Sequence, residues 1–324
     1  MGRKAMWAAV AGLVFAGVVL AEDAVRPVDE PLDLPAAWRA VPSTERHKAI
    51  GVAEEDADAL LMERVYGVQV NANTLILDLA MANGEVNTAV QQLTKGFRVV
   101  GKPTYKDNLS VEVVKAVTIR QVIETIERSM QKTRTVLGVN VEEIQNIARE
   151  TKDTEVPMMG NGAIPGSKGY RRILAKRAAE VDAYKKLAKE IVGAQVTRTT
   201  TVREYVVAND RIATALAATL RWQKPTRTVY REDDSCEVTL SVTMRQIIQT
   251  IHRTLKRFAE GPVANEEEFV KAVTETKEKT VEATGFGNPR PEGAGQPVAP
   301  VGQAQPFYEE KEIIKRVIST EVGQ

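Results

Sequence analysis

The sequence predicts an α+β protein: two tandem copies of a helix–strand–helix–hairpin–helix domain, each with a small antiparallel three-stranded sheet. Three observations lead there. First, residues 117–129 (VTIRQVIETIERS) and 242–254 (VTMRQIIQTIHRT) agree at eight of thirteen positions. Second, ordered matches continue on either side at a nearly constant spacing. Downstream the offset is 125, pairing Asn140 with Asn265, Glu143 with Glu268, and Gly160 and Gly162 with Gly285 and Gly287. Upstream it is 126, pairing Ala53 with Ala179, Asp56 with Asp182, Leu61 with Leu187 and Gly67 with Gly193. Self-similarity of this kind reads as an internal duplication, with one residue gained or lost in a turn between about 95 and 105. Third, each copy of the repeated stretch follows a β-branched strand and then places Ile119, Val122, Ile123 and Ile126, or Met244, Ile247, Ile248 and Ile251, at helical spacing.

Taken in order, the chain opens with Met1-Gly2-Arg3-Lys4, runs apolar from Ala5 to Leu20, and reaches Ala21 before Glu22-Asp23. A basic start, a short apolar core and a small residue predict a signal peptide over residues 1–21, with export and cleavage after Ala21. The run falls short of the roughly 20 residues that span a bilayer, and an uncleaved anchor is the alternative. No cysteine nearby could accept a lipid. Residues 22–45, with Pro27, Pro31, Pro35 and Pro42, read as an extended leader whose Trp38 packs on the first domain.

The first repeat domain is expected over 46–156, a Gly-rich linker over 157–170 and the second repeat domain over 171–284. Each begins with a long helix, about 46–66 and 170–192, stopped by Gly67 and Gly193 as C′ glycines. The β-branched segments Gln69 to Leu79 and Gln195 to Val207 read as strands. A short helix then starts near Gly84 or, with Asp210 as N-cap, in the second copy. Hairpins turn near Asp107-Asn108 and at 233–235. Asn140 with Glu143, and Asn265 with Glu268, have capping-box spacing. Residues 285–306 read as a Gly/Pro-rich tether without fixed structure. Residues 307–322 read as a short amphipathic helix with a stripe of Ile313, Ile314, Val317 and Ile318.

The second copy carries Ile164-Pro165-Gly166, then Ala175-Lys176-Arg177-Ala178-Ala179, Asp182-Ala183-Tyr184, Leu187-Ala188, Ile191 and Gly193. Over about 163–245 this resembles the FlgP-like branch of the Lpp-twenty lipoprotein family of bacterial cell envelopes, and the first copy resembles it faintly. The resemblance implies an envelope protein without enzymatic activity. Some relatives are associated with rings or disks around the flagellar motor, and others are surface lipoproteins. This chain departs from them in lacking the lipid-acceptor cysteine and in carrying the domain twice.

Residue chemistry narrows the function classes. A net charge of +1 and 5% aromatic residues argue against nucleic-acid binding. The lone Cys236 forms no internal disulfide. His47 and His252 lack neighbours at ligand spacing, so no zinc site is expected. Gly160-Asn161-Gly162 and Gly166 follow a charged helix and lack the Gly-Lys-Ser/Thr ending of a phosphate loop. Glu54, Glu55, Asp56 and Asp58 lack an EF-hand pattern and read as a solvated helix face. No cofactor and no catalytic residue is assigned.

Charge separates the copies. Residues 168–189 carry a net +6 and the equivalent window 42–63 a net −4. Arg171, Arg172, Lys176 and Arg177 lie in the first turns of their helix, where the dipole disfavours cations. One reading is that the two faces are solvated and drifted apart. The other is that the basic helix meets an acidic partner: the Glu54, Glu55, Asp56 and Asp58 face of another copy, another envelope protein, or anionic lipid head groups. The expected function is a secreted, non-enzymatic structural or assembly protein of the envelope, a ring or scaffold subunit associated with the flagellar motor. The alternative is a periplasmic binding module that recruits a partner protein or cell-wall polymer.

Overall fold

A computed structural model describes residues 34–71, 74–131, 134–150, 154–197, 200–258, 266–275, 279–289 and 308–322. The expected signal peptide, half of the leader and most of the tether lie outside these residues. The first half runs α1 (Ala36–Arg39), α2 (Ser43–Tyr66), a small hairpin of β1 (Gln69–Asn71) and β2 (Thr74–Leu75), α3 (Ile76–Ala82) and α4 (Gly84–Gln92). It continues through a 3-10 turn (Leu93–Gly96), β3 (Arg98–Tyr105), β4 (Ser110–Thr118), α5 (Ile119–Met130), β5 (Thr135–Val136), β6 (Val139–Asn140), α6 (Val141–Glu150) and β7 (Glu155–Ala163). The second half runs α7 (Lys168–Val192), α8 (Val202–Ala208), α9 (Asp210–Arg221), β8 (Arg227–Tyr230), β9 (Cys236–Thr243), α10 (Met244–Phe258), α11 (Glu266–Glu275) and β10 (Thr280–Gly287). A final helix, α12 (Tyr308–Val322), follows.

The fold is α+β. Its two larger sheets are three-stranded and antiparallel, ordered β3-β4-β7 and β8-β9-β10. The third strand of each is not the segment expected from sequence. Residues 195–207, read as a strand, contribute one bridge between Gln195 and Thr201 and then turn into α8. There Glu204 reaches back to the Thr201 N–H (3.0 Å), starting a helix that the β-branched run disfavours. Residues 69–79 likewise make the short hairpin and then α3. The third strands are β7, mostly in the segment read as a linker, and β10, which runs from the end of the expected second domain into the segment read as a tether. The leader also departs from expectation, with α1 at its end and α2 beginning at Ser43. Trp38 does pack on the first half: it is fully buried, bonds the Lys106 carbonyl (2.7 Å) and meets Tyr105 edge-on.

Gly160 and Gly162 of β7 lie on Ala49, Ala53 and Ala57 of α2, and Gly285 and Gly287 of β10 on Ala175, Ala179 and Ala183 of α7. A β-carbon on Gly160 would overlap the Ala53 carbonyl and lie 2.9 Å from the Ala57 Cα; on Gly285 it would overlap the Ala179 carbonyl and lie 2.8 Å from the Ala183 Cα. Helix and strand therefore touch backbone to backbone in each half, which only glycine against alanine permits. A carboxylate locks each contact. Asp56 accepts the Asn161 N–H and Asp182 the Phe286 N–H, both at 2.9 Å.

Both copies of the repeated stretch pass from strand into helix. Thr118 and Thr243 each accept the N–H of the glutamine three residues on (3.2 Å), and each glutamine side chain accepts in return from its threonine N–H. Gly67 and Gly193 end their helices with φ −80 and −77, so neither takes the left-handed C′ conformation expected of it. The N-cap of α9 is Asn209, one residue before the expected Asp210, and it accepts the Arg211 N–H at 2.9 Å. Asn140 accepts the Glu143 N–H at 2.7 Å, as its spacing predicts, while Asn265 lies outside the described residues. Within 95–105, β3 carries an irregularity: Val100 and Thr104 pair with Val114 and Glu112, so three residues, among them Gly101 at φ +75, stand opposite Val113.

Candidate interaction surfaces

The charged helix faces singled out from sequence are largely partnered within the chain. Arg171 donates to Asp234 from Nε (3.1 Å) and Nη2 (3.0 Å), and Arg172 Nε donates to the other oxygen (3.0 Å). Asp234 sits at the β8–β9 turn with φ +63, so these arginines fasten α7 to its own hairpin. Lys176 pairs with Glu180 one turn on (3.6 Å). Arg177 pairs with Asp56 of α2, joining the basic and acidic helices inside one molecule. Asp58 pairs with Lys115 of β4 at 2.5 Å. Burial pushes the Asp58 carboxyl up, against the pull of that ammonium. Glu55 is exposed and Glu54 half-buried. The eight residues thus do not form two bare, opposed surfaces.

The halves also meet through residues that the sequence did not flag. Trp222, just past α9, places its ring 3.3 Å from where a β-carbon on Gly67 would be, and its Nε1 donates to the Glu63 carbonyl (2.8 Å). Arg221 Nε donates to the Glu63 carboxylate at 2.7 Å. Asp78 of α3 is fully buried and faces Arg253 of α10 at 3.7 Å. Burial pushes the Asp78 carboxyl up, opposed by Arg253 and by the bond it accepts from the Leu75 N–H. Arg257 of α10 reaches the Leu137 carbonyl (2.9 Å) and the Thr74 hydroxyl. One hydrophobic core runs through the two halves, from Leu61 and Ile123 to Leu187 and Ile248.

Two further surfaces bear on binding. The outer face of the first sheet aligns Val100, Val114 and Met159 across its strands, with Met159 46% exposed. The matching row of the second sheet is Arg227, Thr239 and Thr284, with the two hydroxyls bonded at 2.9 Å. A groove of about 480 Å³ opens between α4 and α5, lined by Ala89, Leu93, Gly96, Gln121, Thr125 and Arg128 among others. Helix α12 packs its Ile314 and Ile318 on α7 and α9, with Lys311 and Lys315 bridged to Asp210.

Among the described residues no His, Cys, Asp and Glu side chains converge as a metal-ligand set, and no helix is long and apolar enough to cross a membrane. Cys236 is buried at the start of β9, and burial pushes its thiol up. His252 stacks on Phe269 with ring centroids 5.1 Å apart. Comparison with protein-family models, curated proteins and solved structures found no match.

Proposed function

We propose that this chain is an exported, non-enzymatic structural or assembly protein of a bacterial cell envelope, built from a duplicated α+β module. One observation carries the reading. The residues that give the second half its resemblance to the FlgP-like family, Ala175, Ala179 and Ala183 with Leu187 and Ile191, are buried packing positions on α7. They support a backbone-close helix-on-strand seam, so the motif describes an architecture and not a reaction centre. Intrachain ties from Arg171, Arg172 and Arg177 add to a stiff body, as a scaffold subunit needs. Association with the flagellar motor is the narrower form of this proposal, and rests on the family resemblance alone.

Sedimentation velocity on mature protein beginning at Glu22 tests the reading. Discrete assemblies much larger than a single mature chain are expected. A monomer at every concentration contradicts it. N-terminal sequencing of the envelope fraction checks export, and imaging envelopes with and without the gene checks the scaffold role. A second reading, a periplasmic module that binds a partner protein or cell-wall polymer, is favoured by the Val100–Val114–Met159 row, half-buried at its valines and exposed at Met159. That reading expects a monomer with a partner bound on the first sheet.

A further inference from the structure

The contact between the halves is made from unlike surfaces. The first half contributes Glu63, Gly67, Thr74 and Asp78; the second contributes Arg221, Trp222, Arg253 and Arg257. Had the halves met as a symmetric pair, the same contacts would recur with the roles exchanged. They do not. Gly193, the match of Gly67, is exposed, and a β-carbon there would meet only atoms of its own helix, 3.9 Å away. Gly96, the match of Trp222, would meet nothing within 4 Å. Glu204, the match of the fully buried Asp78, is exposed, and so is Arg128, the match of Arg253. Each half therefore leaves outward the surface that the other half has used.

These two outward surfaces are complementary. Glu204 reaches back to the Thr201 N–H as Asp78 does to that of Leu75, so its carboxylate is held in the same posture. Beside it on α8, Val207 is 69% exposed. Arg128 lies at the groove that opens where Gly96 leaves out a tryptophan. We infer that a second copy of the chain docks its Glu204 and Val207 surface onto the Arg128 groove, repeating between molecules the Asp78–Arg253 part of the contact that joins the halves within one. The contact is heterologous, so it propagates into a ring or filament. It rests on the assembly reading and names the surfaces involved. The Trp222 notch and the Arg221–Glu63 pair are not reproduced, because Gly96 stands at the place of Trp222 and Lys189 at that of Glu63. The contact between molecules is consequently weaker than the one within the chain.

Charge exchange tests the inference on the full mature chain. Arg128→Glu and Glu204→Arg are each expected to weaken association about tenfold in sedimentation velocity, by setting like charges together. The double variant is expected to restore it. Val207→Asp, with no exchange partner, is expected to weaken it as well. All sites are exposed, and circular dichroism melts verify that each variant folds. If wild type assembles and none of these variants alters it, the inference is overturned while the assembly reading stands. If single variants weaken assembly but the double does not recover, the pairing is overturned. A wild-type monomer at all concentrations overturns the inference and the assembly reading together.

Discussion

The two halves share one seam and differ at its flanks. Beside the glycine–alanine contact the first half holds Lys115 paired with Asp58, beneath α2. At the matching positions the second half holds Leu240 and Tyr184, 0% and 5% exposed. The seam fixes how closely helix and strand approach, so its residue types are constrained by distance. The flanking positions need only be filled and satisfied, so an ion pair or an apolar pair serves. The acids divide in the same way. Asp58 and Asp78 of the first half are pushed up by burial. In the second half burial pushes Asp182 and Asp210 up as well, but Lys186 and the Phe286 N–H outweigh it at the first, and Lys311 and Lys315 at the second, holding both carboxyls low.

The comparison breaks first at the glycines. Gly160→Val and Gly285→Val should each destabilise the protein by about 3 kcal/mol or more, because the clash is with backbone that cannot move aside. Equal losses of melting temperature are expected, and a tolerated substitution in one half would mean its seam is not backbone-close. Lys115→Ala should cost about 2 kcal/mol by leaving the half-buried Asp58 unpaired. Lys115→Leu combined with Asp58→Tyr, which copies the second half, should recover most of that in denaturant titrations. Trp222→Ala should cost about 2 kcal/mol, read in the same titrations, by emptying the notch at Gly67 that joins the halves.

Acid should separate the halves by sign. A carboxyl lowered in the folded state adds stability that is fully present above the ordinary value of 3.8 and is lost as pH falls through the lower folded value. A carboxyl raised in the folded state does the opposite, and its penalty appears as pH rises from 3.8 through the raised value. Hydrogen exchange between about pH 4 and pH 3 should therefore loosen α12 and the second half before the first half. The smallest effect belongs to Arg177→Ala. Its pair with Asp56 is partly exposed, so a loss of about 0.5 kcal/mol is expected in chemical denaturation.

Sequence periodicity was sufficient for the elements that bury one face: α2, α7, the hairpins and the repeated strand-to-helix stretch. It failed where a residue serves a neighbour instead of its own element. Gly160 and Gly162 lower strand propensity, so the segment reads as a linker, although alternate glycines opposite Ala49, Ala53 and Ala57 are the trace of a strand lying under a helix. The Thr and Val run at 195–207 reads as a strand, although Thr201 and Glu204 have capping-box spacing. The surfaces joining the halves were illegible because Trp222, Asp78 and Arg253 acquire their partners only through tertiary folding. Charge sums over α2 and α7 overstate the free charge for a related reason. They count Arg171 and Arg172 but not their partner Asp234, which lies 63 and 62 residues away in sequence.

The central structural claim is that Glu155–Ala163 and Thr280–Gly287 are core strands held backbone to backbone under α2 and α7, and not linkers. Hydrogen exchange at the Asn161 and Phe286 amides tests it most directly, since each donates to a carboxylate of the overlying helix. Both amides should exchange as slowly as those of the central strands β4 and β9. Exchange at either amide as fast as in an exposed loop would contradict it.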